Sequence, residues 1–369
     1  MTETPHLPLI IDAHEDLAWN MLTFERDYSL SAAETRQREA GTDTPQLNGD
    51  TLLGWPEYQR GRVAVIFSVL FNIPQRYRAG SWDHLYYETA EQAHVLYRRQ
   101  IDRYHRLVDE YPERFRLVNT QPDLQEILDH WQLPEKPTHP VGLVILMEGA
   151  EGVRQPEEVE EWWQRGVRII GPAWSGTRFC GGSREPGPLT PEGYRLLEAM
   201  AEVGFTLDIT HMDAQAALQA LDVYPASIIA SHANAMKRVQ GVEGNRQLPD
   251  EVIRGLIERD GIIGVVPLNP FLDATWKPGD GRQIVTLRHV VDQIDYICQM
   301  AGNALHTGLG TDFDGGFGMQ VVPAEIDTIA DLQKLVPLLS EKGYTTDDIT
   351  AIMGGNWLRH LHHLLPENL

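Results

Sequence analysis

Eight apolar runs recur along the chain: Pro8 to Ala13, Val63 to Phe71, Val141 to Met147, Val167 to Ala173, Phe205 to Thr210, Ser227 to Ser231, Gly261 to Pro267 and Thr307 to Thr311. Most are continuously apolar instead of alternating, which is the pattern of strands buried on both faces. Between them lie segments with helical character. Ser81 to Tyr111 is long and amphipathic, Pro156 to Arg165 opens with proline and glutamates, and Thr190 to Val203 begins Thr-Pro-Glu. Pro249 to Arg259 and Leu287 to Met300 complete the main helical set. Proline in a first turn with acidic residues close behind is a helix-start signal. Repeated strand-then-helix alternation over eight strands predicts an α/β fold, a closed (β/α)8 TIM-type barrel. The polar stretch Thr23 to Gly61 interrupts the pattern and is expected as an insertion after the first strand, with loops and short helices over the site. No composition shift marks a linker, so residues 1–369 read as a single domain.

The remaining bulk properties narrow the partners. With 369 residues, 42% hydrophobic and 23% charged, the chain has ample core. No stretch approaches the roughly 20 apolar residues needed to cross a bilayer. Met1 to Pro8 carries no basic and apolar leader pattern, so no signal peptide is expected. Cys180 and Cys298 do not make a disulfide framework, and a cytoplasmic setting is the simplest expectation. The formal net charge of −22 opposes binding to phosphate backbones or anionic membranes, so neither nucleic acid nor membrane is expected as a partner.

Six acidic or imidazole side chains fall where apolar runs end: His14, Asp16, Glu148, His211, His232 and Asp312. In a parallel barrel all strand C-termini open onto one face, so residues far apart in sequence converge there. His14 and Asp16, one residue apart, project from the same side of an extended chain and can bind one divalent ion. His211 and His232, on consecutive strand ends, would supply nitrogen ligands to a second, and Glu148 could bridge both. Taken singly, each has a plainer explanation: a polar strand end, a hydrogen-bonded histidine, or a carboxylate at a helix N-terminus. Together the five are hard or borderline ligands suited to Zn²⁺. Metals about 3.5–4 Å apart would share a water, lower its pKa and polarise a carbonyl oxygen. Asp312, in Gly308-Leu309-Gly310-Thr311-Asp312-Phe313-Asp314-Gly315-Gly316, is the candidate proton carrier to the leaving amine. An Asp-Gly turn better explains Asp314.

With these residues in place, the chain resembles the membrane (renal-type) dipeptidase family of the amidohydrolase superfamily. The resemblance runs from about Ile10 to Leu361 and rests on ordered motifs. Ile11-Asp12-Ala13-His14-Glu15-Asp16-Leu17 resembles the family's Asp-x-His-Asn-Asp-Leu opening, and Glu148-Gly149 its Glu-Gly. Leu207-Asp208-Ile209-Thr210-His211 is similar to Asp-Leu-Ser-His, Ser231-His232-Ala233-Asn234-Ala235 to Ser-His-Ser-Ser-Ala, and Thr311-Asp312-Phe313-Asp314-Gly315 to Gly-Asp-Phe-Asp-Gly. Gly354-Gly355-Asn356-Trp357-Leu358-Arg359 matches the closing Asn-x-Leu-Arg. The resemblance implies a barrel with two Zn²⁺ per chain, other divalent metals remaining possible. His14 and Asp16 would hold one ion, His211 and His232 the other, with Glu148 bridging as both ligand and catalytic group. Asp312 would be the acid/base residue, and Arg246, matching the first arginine of Arg-Asn-Val-Pro-Asp, would grip the substrate carboxylate. A homodimer is expected only by this resemblance.

Two departures concern substrate recognition. The family's Leu-Thr-His after the fourth strand is matched by Ile170-Gly171-Pro172-Ala173-Trp174-Ser175, so Trp174 replaces a histidine that contacts the reacting carbonyl. Trp donates one N–H and cannot become a cation. The family's carboxylate-binding tyrosine is also missing near Leu268-Asn269. The expected function is therefore a binuclear zinc hydrolase cleaving the amide bond of a dipeptide, a small-molecule substrate. The alternatives are action on an N-acyl amino acid, lactone or cyclic amide, and a non-enzymatic metal-binding structural or sensing barrel. Cys180 is expected as a buried apolar residue, not a nucleophile. His360, His362 and His363 are expected on a helix surface.

Overall fold

The computed structural model describes residues 7–133, 136, 138–239, 241–242 and 244–368. Its centre is a row of parallel strands: β1 (Ile10–Glu15), β2 (Val63–Phe71), β3 (Val141–Glu148), β4 (Val167–Gly171), β5 (Thr206–Asp208), β6 (Ile228–Ile229), β7 (Ile263–Val265) and β8 (Thr307–Leu309). They pair in the order β6–β5–β4–β3–β2–β1–β8–β7, and a parallel bridge between Ala230 and Ile263 brings the two ends of the row together. Every residue of β1, β3 and β4 is buried, as continuously apolar sequence requires of strands between a filled interior and an outer helical layer. All eight expected strands are present. The last four are shorter than their apolar runs.

The helices follow local capping chemistry. Thr89 and Gln92 form a reciprocal capping box, so the long helix starts at Ala90 and runs to Glu110. The sequence pattern placed its start at Ser81; instead Tyr86–Tyr87 pairs with Ile73–Pro74 as a short strand. The segment expected as a helix from Pro156 to Arg165 divides into a 3₁₀ turn, Pro156–Glu158, and a helix, Val159–Gln164. Pro191–Val203, Asp250–Glu258 and Leu287–Ala301 lie where expected. Helices Gln121–Trp131, Ala214–Val223 and Asn356–Leu364 are additional. No helix among the described residues is long and apolar enough to cross a membrane.

The insertion contains three short helices, Ala32–Glu39, Thr44–Leu47 and Trp55–Gly61. Asp314 pins it to the barrel. Its buried carboxylate accepts from Arg26 Nη1 at 2.9 Å, Tyr28 Oη at 2.8 Å, Thr51 Oγ1 at 2.5 Å and Leu52 N at 3.0 Å. Asp314 is thus more than the turn residue its Asp-Gly context suggested. His360 also departs from expectation. It is 7% exposed and lies 3.1 Å from Thr206 Oγ1, because its helix packs that face on the barrel; His362 and His363 are exposed.

Candidate metal centre

The site begins with a tie between two strands. Asp12 accepts Thr311 N at 2.7 Å and Thr311 Oγ1 at 2.5 Å, which locks β1 to the end of β8. Two residues beyond Asp12 comes His14, and Asp312 N donates to His14 O at 3.1 Å. His14 and Asp312 are thereby brought together, with His14 Nε2 3.9 Å from Asp312 Oδ1 and 3.7 Å from Asp16 Oδ2. Asp16 itself stands at the junction between β1 and the helix Leu17–Thr23.

Glu148, the last residue of β3, is the meeting point. Its Oε1 lies 3.0 Å from His211 Nε2, 3.4 Å from His232 Nε2 and 3.7 Å from His14 Nε2. The Nε2 atoms of His211 and His232 are 3.0 Å apart. All six side chains that end apolar runs in the sequence therefore converge. Potential ligand atoms of His14, Glu148 and His232 lie within 4.8 Å of one another, and so do those of His14, Asp16 and Asp312.

Hydrogen bonding fixes which ring nitrogens face the centre. Ser231 Oγ donates to Asp208 Oδ2 at 2.5 Å, leaving its lone pairs to accept from His232 Nδ1 at 2.9 Å and His14 Nδ1 at 3.3 Å. Ser183 Oγ donates to His211 O at 3.3 Å and accepts from His211 Nδ1 at 3.0 Å. Each imidazole thus carries its proton on Nδ1 and turns an Nε2 lone pair inward. Buried lone pairs cannot face one another and a carboxylate without a cation or proton between them. His14 Nε2 and Asp16 Oδ1 are buried and have no hydrogen-bond partner. Neutral imidazoles oriented through Nδ1 and clustered carboxylates are the donor set of a divalent metal. The residues present fit such an ion.

Electrostatics agree with that fit. Burial drives the pKa of His14, His211 and His232 well below the usual imidazole range, and the Arg246 charge adds to the effect. Burial raises Glu148 and Asp312 well above ordinary carboxyls, with the Asp16 charge contributing. Asp16 is pushed up to about 7 by burial and by Asp314. Divalent charge would offset the cost of ionising these buried carboxyls.

The backbone is strained here. His211 (φ 67°) and Asp312 (φ 60°) both adopt the left-handed region, uncommon for L-residues although Asp and His enter it more readily than most. Gly315 keeps the centre open, since a Cβ there would lie 2.2 Å from Asp312 Oδ1 and 2.9 Å from Asp16 Oδ2.

A cleft of about 680 Å³ lies above the cluster, a size suited to a small molecule. Leu47 from the insertion reaches its lining, as do Trp174 and Arg246. Arg246 donates from Nη2 to His232 O at 2.9 Å and stacks 4.9 Å from the Phe271 ring. Its Nε and Nη1 are shielded from solvent and unpartnered. Trp174 packs edge-on against Phe71, with ring centroids 5.2 Å apart, and 6.2 Å from the His211 ring. Cys180 is buried and its thiol is pushed up to about 12 by desolvation, the state of an inert core residue. The supporting residues Asp208, Ser231 and Ser183 had no sequence signal of their own. Asp208 and Ser231 stand three and one residues before ligand candidates within quoted motifs, but their contact joins the ends of two separate strands, β5 and β6.

A parallel barrel with histidines and carboxylates gathered at its strand C-termini has the architecture of metal-dependent hydrolases. Residues 5–364 match the membrane dipeptidase family (peptidase family M19), and the chain belongs to that family. It is accordingly a metal-dependent hydrolase. Dipeptidase tcpJ of Claviceps purpurea is 26% identical over 278 residues, which cover 72% of this chain and 59% of that enzyme. A protein encoded in the pqqA 5′ region of Klebsiella pneumoniae is 29% identical over 234 residues, 61% of this chain and 82% of that one. The fold is shared with a metallopeptidase from Rhodobacter sphaeroides, solved with a phosphinate mimic of the dipeptide L-Ala-D-Ala. The TM-score is 0.77 at 20% identity, with 97% of this chain and 99% of that one covered.

Proposed function

We propose that the protein is a binuclear, zinc-dependent dipeptidase. The observation that carries this reading is the convergence of three histidine Nε2 atoms on Glu148 Oε1, with buried His14 Nε2 and Asp16 Oδ1 lacking any partner. His14 and Asp16 would hold one ion and His211 and His232 the other, with Glu148 shared. Divalent ions held by these residues would favour ionisation of water and polarise the scissile carbonyl. Arg246 lines the cleft with its Nε and Nη1 unpartnered, and this guanidinium would grip the substrate's terminal carboxylate. Asp312 takes the proton that the attacking water gives up. It returns that proton to the nitrogen as the C–N bond breaks, so a carboxylate and an amine are released.

A dipeptide panel that includes D-residues at the C-terminal position, assayed with and without chelator, tests the reading. Chelator-sensitive turnover is expected; absence of turnover on every amide refutes it. Trp174 favours a second reading, in which the bond is that of an N-acyl amino acid, lactone or cyclic amide, because its ring lines the cleft at the position matched to the family's histidine. Comparing those substrates in the wild type and in Trp174→His separates the two.

A further inference from the structure

A second arginine reaches the cleft, and it is held differently from Arg246. Residues Cys180–Gly182 and Glu185–Leu189 form an antiparallel hairpin in which Gly182 pairs with Glu185, so Ser183 and Arg184 are its two-residue turn. The hairpin is fixed to the metal centre. Gly182 bridges Met212, Asn245 Nδ2 donates to Gly182 O at 3.1 Å, and Ser183 meets His211 Nδ1. A Cβ at Gly182 would lie 1.6 Å from Ser175 O, so backbone packs directly on the segment that follows Trp174. The turn therefore fixes the Arg184 backbone beside the cleft, and its exposed side chain extends from there.

The Arg184 guanidinium lies 4.8 Å from the Trp174 ring centroid and 4.9 Å from that of Tyr77. Each contact supplies cation–π attraction while leaving the in-plane N–H edge open. The neighbouring acid does not neutralise it. Glu185 is taken by Arg76, through Nε at 2.6 Å and Nη2 at 2.7 Å, and by Tyr77 Oη at 3.0 Å. No carboxylate among the described residues comes within 4.0 Å of Arg184. An exposed cation without a counter-ion, seated over two aromatic rings on a cleft wall of a chain with net charge −22, is suited to a ligand that brings its own negative charge.

We propose that Arg184 is a specificity-determining residue that binds a second anionic group of the substrate, so that preferred dipeptides carry an acidic side chain besides the terminal carboxylate at Arg246. This rests on the dipeptidase reading and extends it. It also gives Trp174 a role that an imidazole would fill less well, as the aromatic platform on which Arg184 is stacked.

The test compares two phosphinate dipeptide mimics by calorimetry, one with two alanine-type side chains and one with an aspartate-type side chain, on metal-loaded wild type, Arg184→Met and Arg184→Glu. Hydrolysis of Ala-Ala and of dipeptides with Asp at either position is measured in parallel. Wild type is expected to bind the acidic mimic about tenfold more tightly, and Arg184→Met to remove that margin while leaving the neutral mimic within about twofold. Arg184→Glu should turn the preference against acidic ligands. Equal losses for both mimics, or no acidic preference in wild type, overturn the proposal. Arg184-dependent binding without hydrolysis of any dipeptide keeps the anion site and refutes the dipeptidase reading. Hydrolysis of Ala-Ala without Arg184-dependent discrimination does the reverse, and binding of neither mimic with no turnover refutes both.

Discussion

Ser231 Oγ donates to Asp208 Oδ2 at 2.5 Å, and this bond sets the tautomer of two histidines at once. The hydroxyl has one proton, already committed to Asp208, so it can only accept from His14 Nδ1 and His232 Nδ1. Ser231→Ala should weaken metal binding about 10–100-fold with the fold intact. Chelator competition with a chromophoric indicator measures this, and circular dichroism checks the fold. Unchanged affinity would mean that the strand ends alone orient the rings.

Asp312 stands about as far from His14 Nε2, at 3.9 Å, as Asp16 does at 3.7 Å. It could therefore carry protons or ligate metal, and the neutral isostere separates these roles. Asp312→Asn is expected to keep its metal content while kcat falls about 10²–10⁴-fold. Loss of one ion per chain from this variant would reassign Asp312 as a ligand.

Much of this centre is legible in the sequence because a barrel turns chain order into spatial convergence. Val141–Glu148 is an unbroken buried strand ending in a carboxylate, and the apolar runs before His14, His211, His232 and Asp312 place those side chains on the same rim. Arg184 was not legible. Its hairpin lies in Gly181-Gly182-Ser183-Arg184-Glu185-Pro186-Gly187-Pro188, which has no strand periodicity, and its cleft position arises from tertiary contacts to Met212 and Asn245. The left-handed backbone at His211 and Asp312 was equally hidden, since no glycine marks either position. The start of the long helix was misplaced because amphipathic periodicity continues upstream of the capping box at Thr89, which sets the true boundary.

Asp314 holds the insertion through a fully buried ion pair with Arg26 and three further hydrogen bonds. Asp314→Ala leaves the Arg26 guanidinium without that partner inside the protein. Removing one member of a buried pair costs about 3–5 kcal/mol, and denaturant unfolding should show a loss of that order. Limited proteolysis should then cut within residues 24–61 first. A stability change under about 1 kcal/mol would show that Glu39 alone satisfies Arg26.

His360 gives a pH dependence with a definite sign. Burial lowers its pKa from 6.5 to about 4. Between those values the unfolded chain binds the extra proton, so this residue's contribution to stability is complete above pH 6.5 and declines as pH falls towards 4. Replacement by Gln should remove that loss. The stability difference between wild type and His360→Gln is expected to change by about 2 kcal/mol from pH 7 to pH 5, read from urea titrations. An unchanged difference would place the folded-state pKa near 6.5.

Metal content with activity is the most direct measurement of the proposed binuclear centre. Elemental analysis of the purified protein should give two zinc ions per chain; chelation should abolish turnover, and re-addition of zinc should restore both together. Full activity in protein stripped of transition metal, or saturation at a single ion per chain, would contradict a binuclear site built on His14, Asp16, Glu148, His211 and His232.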